Sequence, residues 1–421
     1  MATPRTHVPA AGRPTAEVLA DLVDAKSEDR DWRSGKVFSL VYSAGDEVHD
    51  LHAAALSLYS AENGLNIMAF PSIGRLGRDL VGFAIELLGA GRPEVTGYLT
   101  SGGTESLLQT MKVARDVARS RGIDRPRVVA TRSAHAAFTK AAELFDMDLV
   151  RVAVDDEFRT DLQAMAAAID PSTIMVVGSA PTYPHGVIDP LEEIGALAIE
   201  HDLLFHVDAC MGGFLLPWLA ELGHVTKPFT FAIDGVTSIS ADLHKYGYAS
   251  KGVSVILYRD RGLASHQVFM TDDWMGGLYG STVLAGTRPA GPVAAAWATV
   301  MHLGRDGYLA LAETTWQAAQ ELIAGVNAID GLTVLGHPDM TVLAIAAEDP
   351  ASLDIFAVAD RLVADGGWYL DRQNEPDALH LTVHAGSAPS VASFLSDLPR
   401  ALALVGGGTT RGAATPYAVD Q

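Results

Sequence analysis

The chain has 421 residues, 48% of them hydrophobic, enough to bury a large core and to form more than one domain. With 51 acidic against 30 basic side chains its formal net charge is −21, which argues against nucleic acid or an anionic membrane surface as the main partner; an anionic substrate must meet a local basic exception. A single cysteine, Cys210, excludes an intrachain disulfide and suits a reducing, cytoplasmic compartment.

In chain order, the opening "MATPRTHVPAAGRPTAEV" lacks the apolar stretch of a secretory signal. Residues 1–35 are rich in proline, alanine and charge and read as an arm, part of an N-terminal segment over 1–50. Helical spacing follows at 46–62 and 75–90. "GYLTSGG" is a strand entering a glycine turn, and "TESLLQTMKVARDVARSRG" places Leu107, Leu108, Met111 and Ala114 on one helical face and stops at Gly122. "PRVVAT", "STIMVVGSA", "LLFHVDA", "GVTSISA" and "GVSVILY" are short runs, continuously apolar or β-branched. They suit strands of a parallel sheet covered by helices on both faces. The most apolar long window, "LLFHVDACMGGFLLPWLAELG", contains His206, Asp208 and Glu221, so it reads as buried strand plus helix and not as a membrane span. From about residue 305 a helix, "GYLALAETTWQAAQELIAGVNAI", precedes the strands "LTVLG", "TVLAIAA" and "LHLTVHA", with a further helix at 353–365; this is the pattern of a smaller α+β domain. The expected division is a segment over 1–50, a large domain over 51–304, a small domain over 305–405 and a disordered tail over 406–421.

Parallel sheets bind ligands at the carboxyl ends of their strands, so the polar residues just past each strand are the candidates. "TSGGTES" sets Gly103 and Thr104 at a helix start, where backbone N–H groups and the helix dipole form an anion cradle. His135 follows "PRVVAT", Tyr183 and His185 follow "STIMVVGSA", Asp208 ends "LLFHVDA", and His244 and Lys245 follow "GVTSISA". Taken singly, each has a structural explanation: a helix cap, a hydrogen-bonded histidine, a surface lysine. Taken together, an anion cradle, a carboxylate, a stacking partner and an amine match the phosphate, ring nitrogen, flat ring and aldehyde of pyridoxal 5′-phosphate.

"YLTSGGTES", "SAHAAFTKAAELF", "HVDACMGGF", "SISADLHKYGYASKG" and "TDDWMGGLYGSTVLAGTRPAG" resemble the sphingosine-1-phosphate lyases, a branch of the fold-type-I pyridoxal-phosphate enzymes near the group II decarboxylases. The likeness runs from about residue 40 to about residue 400. It implies an α/β fold with a mostly parallel seven-stranded central sheet, helices on both faces and a small α+β C-terminal domain. It assigns Lys245 to the Schiff base with the cofactor, Asp208 to the pyridinium nitrogen, His135 to stacking on the ring, and Gly103, Thr104 and His244 to the cofactor phosphate. Thr287 is expected to reach that phosphate from the second subunit of a homodimer. Lys251, with Tyr42, is expected to bind the phosphate of the substrate, and Tyr183 to line the pocket; no metal is implied. His206, two residues before Asp208, reads as a packing residue. The chain departs from the family at "NGLN", where Asn66 stands in place of a histidine and reduces the charge available to a substrate phosphate. The reaction implied is carbon–carbon cleavage of a β-hydroxy amine, such as a sphingoid base 1-phosphate, to an aldehyde and phosphoethanolamine. The alternative on the same scaffold is amino-acid decarboxylation, in which Lys251 and Tyr42 would hold a carboxylate.

Overall fold

The structure, a computed structural model, describes residues 7–405; the expected tail at 406–421 lies outside the described residues. Seven runs form the large sheet: β1 (Thr96–Thr100), β2 (Arg127–Thr131), β3 (Asp148–Val152), β4 (Thr173–Ser179), β5 (Leu204–Asp208), β6 (Ser238–Ala241) and β7 (Ser254–Tyr258). Their order in space is β1-β7-β6-β5-β4-β2-β3. Strands β6, β5, β4, β2 and β3 are paired in parallel, and β7 is antiparallel to both β6 and β1.

Side chains alternate between the faces of a strand, so a run apolar at every position needs cover on both sides. In β2, Val128 and Ala130 join a core with Leu107, Met111 and Ala114 of the helix Gly103–Ser120 and Phe138 of the helix Ala137–Phe145. Val129, between them, belongs to the opposite core, with Leu80 and Ala84 of the helix Pro71–Leu88 and Ile194 of the helix Leu191–Glu200. Strand β7 repeats the pattern: Val255 and Leu257 face one core, Ile256 and Tyr258 the other. The expected α/β architecture, a mostly parallel seven-stranded sheet with helices on both faces, is the one the chain forms.

A short hairpin, β8 (Phe269–Thr271) with β9 (Tyr279–Ser281), follows the large sheet. The helix Gly291–Asn327 then leads to a second, fully antiparallel sheet of β10 (Leu332–Val334), β11 (Val342–Ala347), β12 (Asp371–Gln373) and β13 (Ala378–Thr382), in the order β10-β11-β13-β12. The sequence pattern starts this helix only at 307. In the structure helical turns lie on both sides of Gly304, whose φ of 54° interrupts the helix in a left-handed conformation that glycine adopts at least cost.

From about residue 35 the N-terminal segment docks on the small domain. The helix Thr15–Ala25 buries none of its residues, but Val37 then pairs with Tyr369, and the Thr382 N–H donates to the Phe38 carbonyl at 2.6 Å. Phe38 is fully buried against Trp368 and Phe394. This docking brings Tyr42 beside Tyr246 and Met211, past the ends of the central strands. There β1, which runs in the same direction as β6, ends beside β2, β4, β5 and β6, so the carboxyl ends of five strands open onto one place.

Candidate active site

That place is a cavity of about 600 Å³. Gly103, Thr104, His135, Asp208, His244 and Lys245 all line it, as do Tyr183 and Lys251.

The cradle is built where β1 turns into the helix Gly103–Ser120. A methyl group at Gly103 would lie 2.7 Å from an Asp242 oxygen and 2.9 Å from the Cys210 sulfur, so only glycine lets the backbone sit this deep. Glu105 holds the turn. It accepts from the Ser101 N–H and hydroxyl, both at 2.7 Å, and its other oxygen accepts from the Leu284 N–H at 2.7 Å.

His135 sits past β2, and its Nδ1 accepts from the Ala137 N–H at 3.1 Å. Burial pushes its pKa down, and the Asp208 charge only partly opposes that, so the ring is a neutral imidazole at pH 7. Arg151, on β3, props the loop by donating to the carbonyls of Thr131 and Ala134.

Asp208, at the end of β5, is 7% exposed. Its Oδ1 accepts from the Cys210 N–H at 3.1 Å and from the Ser240 hydroxyl at 3.2 Å. His206 does more than pack: its ring nitrogens meet Ser238 Oγ at 2.9 Å and Ser240 Oγ at 3.2 Å, which extends the network beneath Asp208. Burial lowers the pKa of His206 to about 4, so it acts there as a neutral hydrogen-bonding group.

Past β6, Lys245 Nζ lies 2.9 Å from Asp242 Oδ2. His244 Nδ1 faces the Val253 carbonyl at 3.0 Å. Lys251 Nζ donates to the His244 carbonyl at 3.0 Å and stands 5.1 Å above the Tyr42 ring. Burial, then the Lys245 charge, lower the Lys251 pKa to about 8, although its exposed position at the mouth lets solvent screen part of that repulsion. Tyr183 donates to Asp371 Oδ2 at 3.1 Å and stacks on His380 with ring centroids 4.0 Å apart. Its ring is perpendicular to that of His135, 6.4 Å away.

Three candidates do not line the cavity in their own chain: Tyr42 is half-buried beside it, its ring 4.9 Å from that of Tyr246, and the other two lie farther off. Asn66 is exposed, and its Oδ1 accepts from the N–H groups of Met68 and Ala69, closing a local turn. Thr287 is also exposed. Their segments are clipped together: the Gly64 N–H donates to the Arg288 carbonyl at 2.8 Å, Arg288 Nη2 donates back to the Gly64 carbonyl at 2.6 Å, and Asn63 pairs with Pro289. Sequence reading missed Asp242 and Glu105. Both stand just past a strand, the position that exposed the other candidates, but Asp242 was overshadowed by "HK" and Glu105 by the glycines before it.

This donor set fits pyridoxal 5′-phosphate: a glycine cradle at a helix N-terminus, a buried carboxylate held by two donors, a neutral imidazole and an amine share one cavity. Fold and site together define a pyridoxal-phosphate-dependent enzyme. Residues 7–345 match the model of the pyridoxal-dependent decarboxylase conserved domain. The chain is 42% identical over 397 residues to the sphingosine-1-phosphate lyase of Arabidopsis thaliana, covering 92% of this chain and 72% of that one. It superposes on the structure of the Burkholderia pseudomallei sphingosine-1-phosphate lyase with a TM-score of 0.91 at 39% identity, covering 96% of this chain and 93% of the other. The glutamate decarboxylase of Lactobacillus brevis, at 20% identity and a TM-score of 0.82 over 97% of each chain, shares the fold. The chain belongs to the sphingosine-1-phosphate lyase family, within the wider pyridoxal-dependent decarboxylase group. It is a lyase, and its cofactor is pyridoxal 5′-phosphate.

Proposed function

We propose that the protein cleaves the Cα–Cβ bond of a phosphorylated long-chain β-hydroxy amine of the sphingosine-1-phosphate type, giving an aldehyde and phosphoethanolamine. The observation that carries this beyond the family is the placement of the two lysines. Lys245 lies inside the cavity, while Lys251 stands over Tyr42 at the mouth, where an anionic head group would meet an ammonium and a phenol.

Pyridoxal phosphate, when bound, supplies an electron-withdrawing ring that takes up the electron pair of the broken bond. Lys245 supplies the amine that bonds the aldehyde of the cofactor. When the cofactor is bound, Asp208 would hold a proton at the ring nitrogen, His135 would cover the ring, and Gly103, Thr104 and His244 would hold the phosphate. Lys251, Tyr42 and Tyr183 bind and orient the substrate. Incubation with a phosphorylated long-chain 2-amino alcohol, and separately with the common amino acids, should give aldehyde and phosphoethanolamine from the former only, read by mass. Carbon dioxide and an amine from an amino acid would replace this reading with the decarboxylase.

Lys251→Ala should raise KM for the phosphorylated substrate far more than for its unphosphorylated analogue. A charge-assisted contact contributes about 1.5–3 kcal/mol, or roughly tenfold to a hundredfold in affinity. The pH dependence has a definite sign. The Lys251 pKa is lowered to about 8, so its charge is present below that pH and lost above it. The ratio kcat/KM, which reports the free enzyme, should therefore fall above about pH 8 for the phosphorylated substrate and stay flatter for the analogue.

We also propose a cytoplasmic homodimer in which Asn66 and Thr287 of each subunit serve the other's site. Supporting this, both are exposed on clipped segments outside their own cavity, and Leu65, Ile67, Met68, Trp274, Met275 and Leu284 on the neighbouring stretches expose apolar surface. Mixing inactive Lys245→Ala with inactive Thr287→Trp should restore about a quarter of wild-type activity, because half the dimers are mixed and each holds one intact site. No recovery under conditions that exchange subunits would place Thr287 in its own chain's site.

A further inference from the structure

Lys245 has a neighbour that none of these roles uses. Asp242 lies three residues earlier, on the turn leaving β6, and is only 2% exposed. Its Oδ2 is 2.9 Å from Lys245 Nζ and 3.8 Å from His244 Nε2, and its Oδ1 accepts from the Ser254 hydroxyl at 2.6 Å. A carboxylate this deep is costly unless a cation and hydrogen bonds compensate it. Burial works against its charge, yet the Lys245 ammonium and the Ser254 hydrogen bond hold its pKa below the ordinary value.

We propose that Asp242 is a positioning residue that receives the Lys245 side chain as an ammonium whenever that lysine is not bonded to the cofactor, fixing both its place and its protonation. This rests on the assignment of Lys245 as the cofactor-binding amine.

The groups around Lys245 come from several elements. Asp242 past β6 attracts its charge, and the Lys251 ammonium repels it. Burial lowers the pKa values of His135 and His244, leaving both neutral at pH 7, and raises that of the Cys210 thiol, which stays protonated. Asp242 stands at ion-pair distance from Lys245 Nζ. The pairing has a functional consequence. An ammonium cannot attack an aldehyde, so Asp242 holds the free lysine close to the cradle but unreactive until its proton leaves. Lys251, with its nitrogen on a carbonyl instead of a carboxylate, lacks that restraint.

The test uses the full-length protein freed of cofactor with hydroxylamine. Pyridoxal without its phosphate is the probe, and borohydride traps it on whichever lysine has reacted. The amine adds to the aldehyde with loss of water, and hydride reduces the C=N bond, leaving a pyridoxyl-lysine that is identified by peptide mass. Trapping rates are measured from about pH 6 to about pH 10, the range in which perturbed lysines titrate. In the wild type the Lys245 midpoint should lie above that of Lys251. In Asp242→Asn it should fall by about one pH unit or more, so that trapping at pH 7 becomes about tenfold faster. Ser254→Ala, which removes a hydrogen bond from Asp242 but keeps its charge, should stay near the wild-type midpoint. An unchanged midpoint in folded Asp242→Asn overturns the proposal. So does a wild-type Lys245 midpoint below that of Lys251, a comparison that decides the matter even if the variant does not fold. No trapping at Lys245 at any pH would remove the assignment of Lys245 itself, and the proposal with it.

Discussion

Lys245→Ala should lose turnover by at least about 10³-fold, equivalent to some 4 kcal/mol of barrier, together with the visible absorbance of lysine-bound cofactor. The loss should be that large because no second amine occupies the same place. Lys251 is the obvious substitute, since its lowered pKa leaves a share of uncharged amine at neutral pH. But its Nζ is tied to the His244 carbonyl and stands over Tyr42 at the mouth, whereas the lost amine lay 2.9 Å from Asp242 beneath the cradle. Lys245 also lines the same cavity as Gly103, Thr104 and His244, the residues assigned to the cofactor phosphate. Cofactor content should fall less than turnover, because the cradle and Asp208 are untouched. Absorbance and activity are measured on the same preparation. If Lys245→Ala keeps both, and the Lys245→Ala, Lys251→Ala double variant loses them, Lys251 is the chemical lysine and the two assignments exchange.

What could be read from the sequence follows from how local its causes are. Strands β2, β4 and β7 announce themselves because burial on both faces leaves no polar position in the middle of the run; Val128, Val129 and Ala130 are the clearest case. Strand β3 escapes that logic. It is an edge strand, and its Asp148 and Arg151 are only partly buried, so its run does not look apolar. Strand direction is not carried by periodicity either, which is why β7, the reversed strand, could not be told from its parallel neighbours. The site was legible wherever a chemical group follows a strand, as with His135, Asp208 and Lys245. It was illegible where two distant segments meet. Nothing in "NGLN" or "AGTRPAG" says that Gly64 and Arg288 exchange hydrogen bonds. Nor does the sequence say that residue 38 enters the core of the small domain and brings Tyr42 with it.

Asp208→Asn should leave the protein folded and the cofactor bound, but lower kcat by roughly 10²–10³, the cost of losing one preorganised electrostatic contact at a reacting group. The substitution isolates charge from packing. Asparagine has the same shape, and its carbonyl oxygen can keep both hydrogen bonds that Oδ1 accepts, from the Cys210 N–H and the Ser240 hydroxyl. The network through Ser240 to His206 and Ser238 therefore survives. What would disappear is the anion assigned to the ring nitrogen, and with it the hold on the proton that lets the ring take up the electron pair of the broken bond. Because that pair develops only as the bond breaks, kcat should carry most of the loss and KM little of it. The opposite split, a raised KM with kcat preserved, would make Asp208 a residue that binds the cofactor without taking part in the chemistry. An unchanged rate in both would leave it a structural cap on β5.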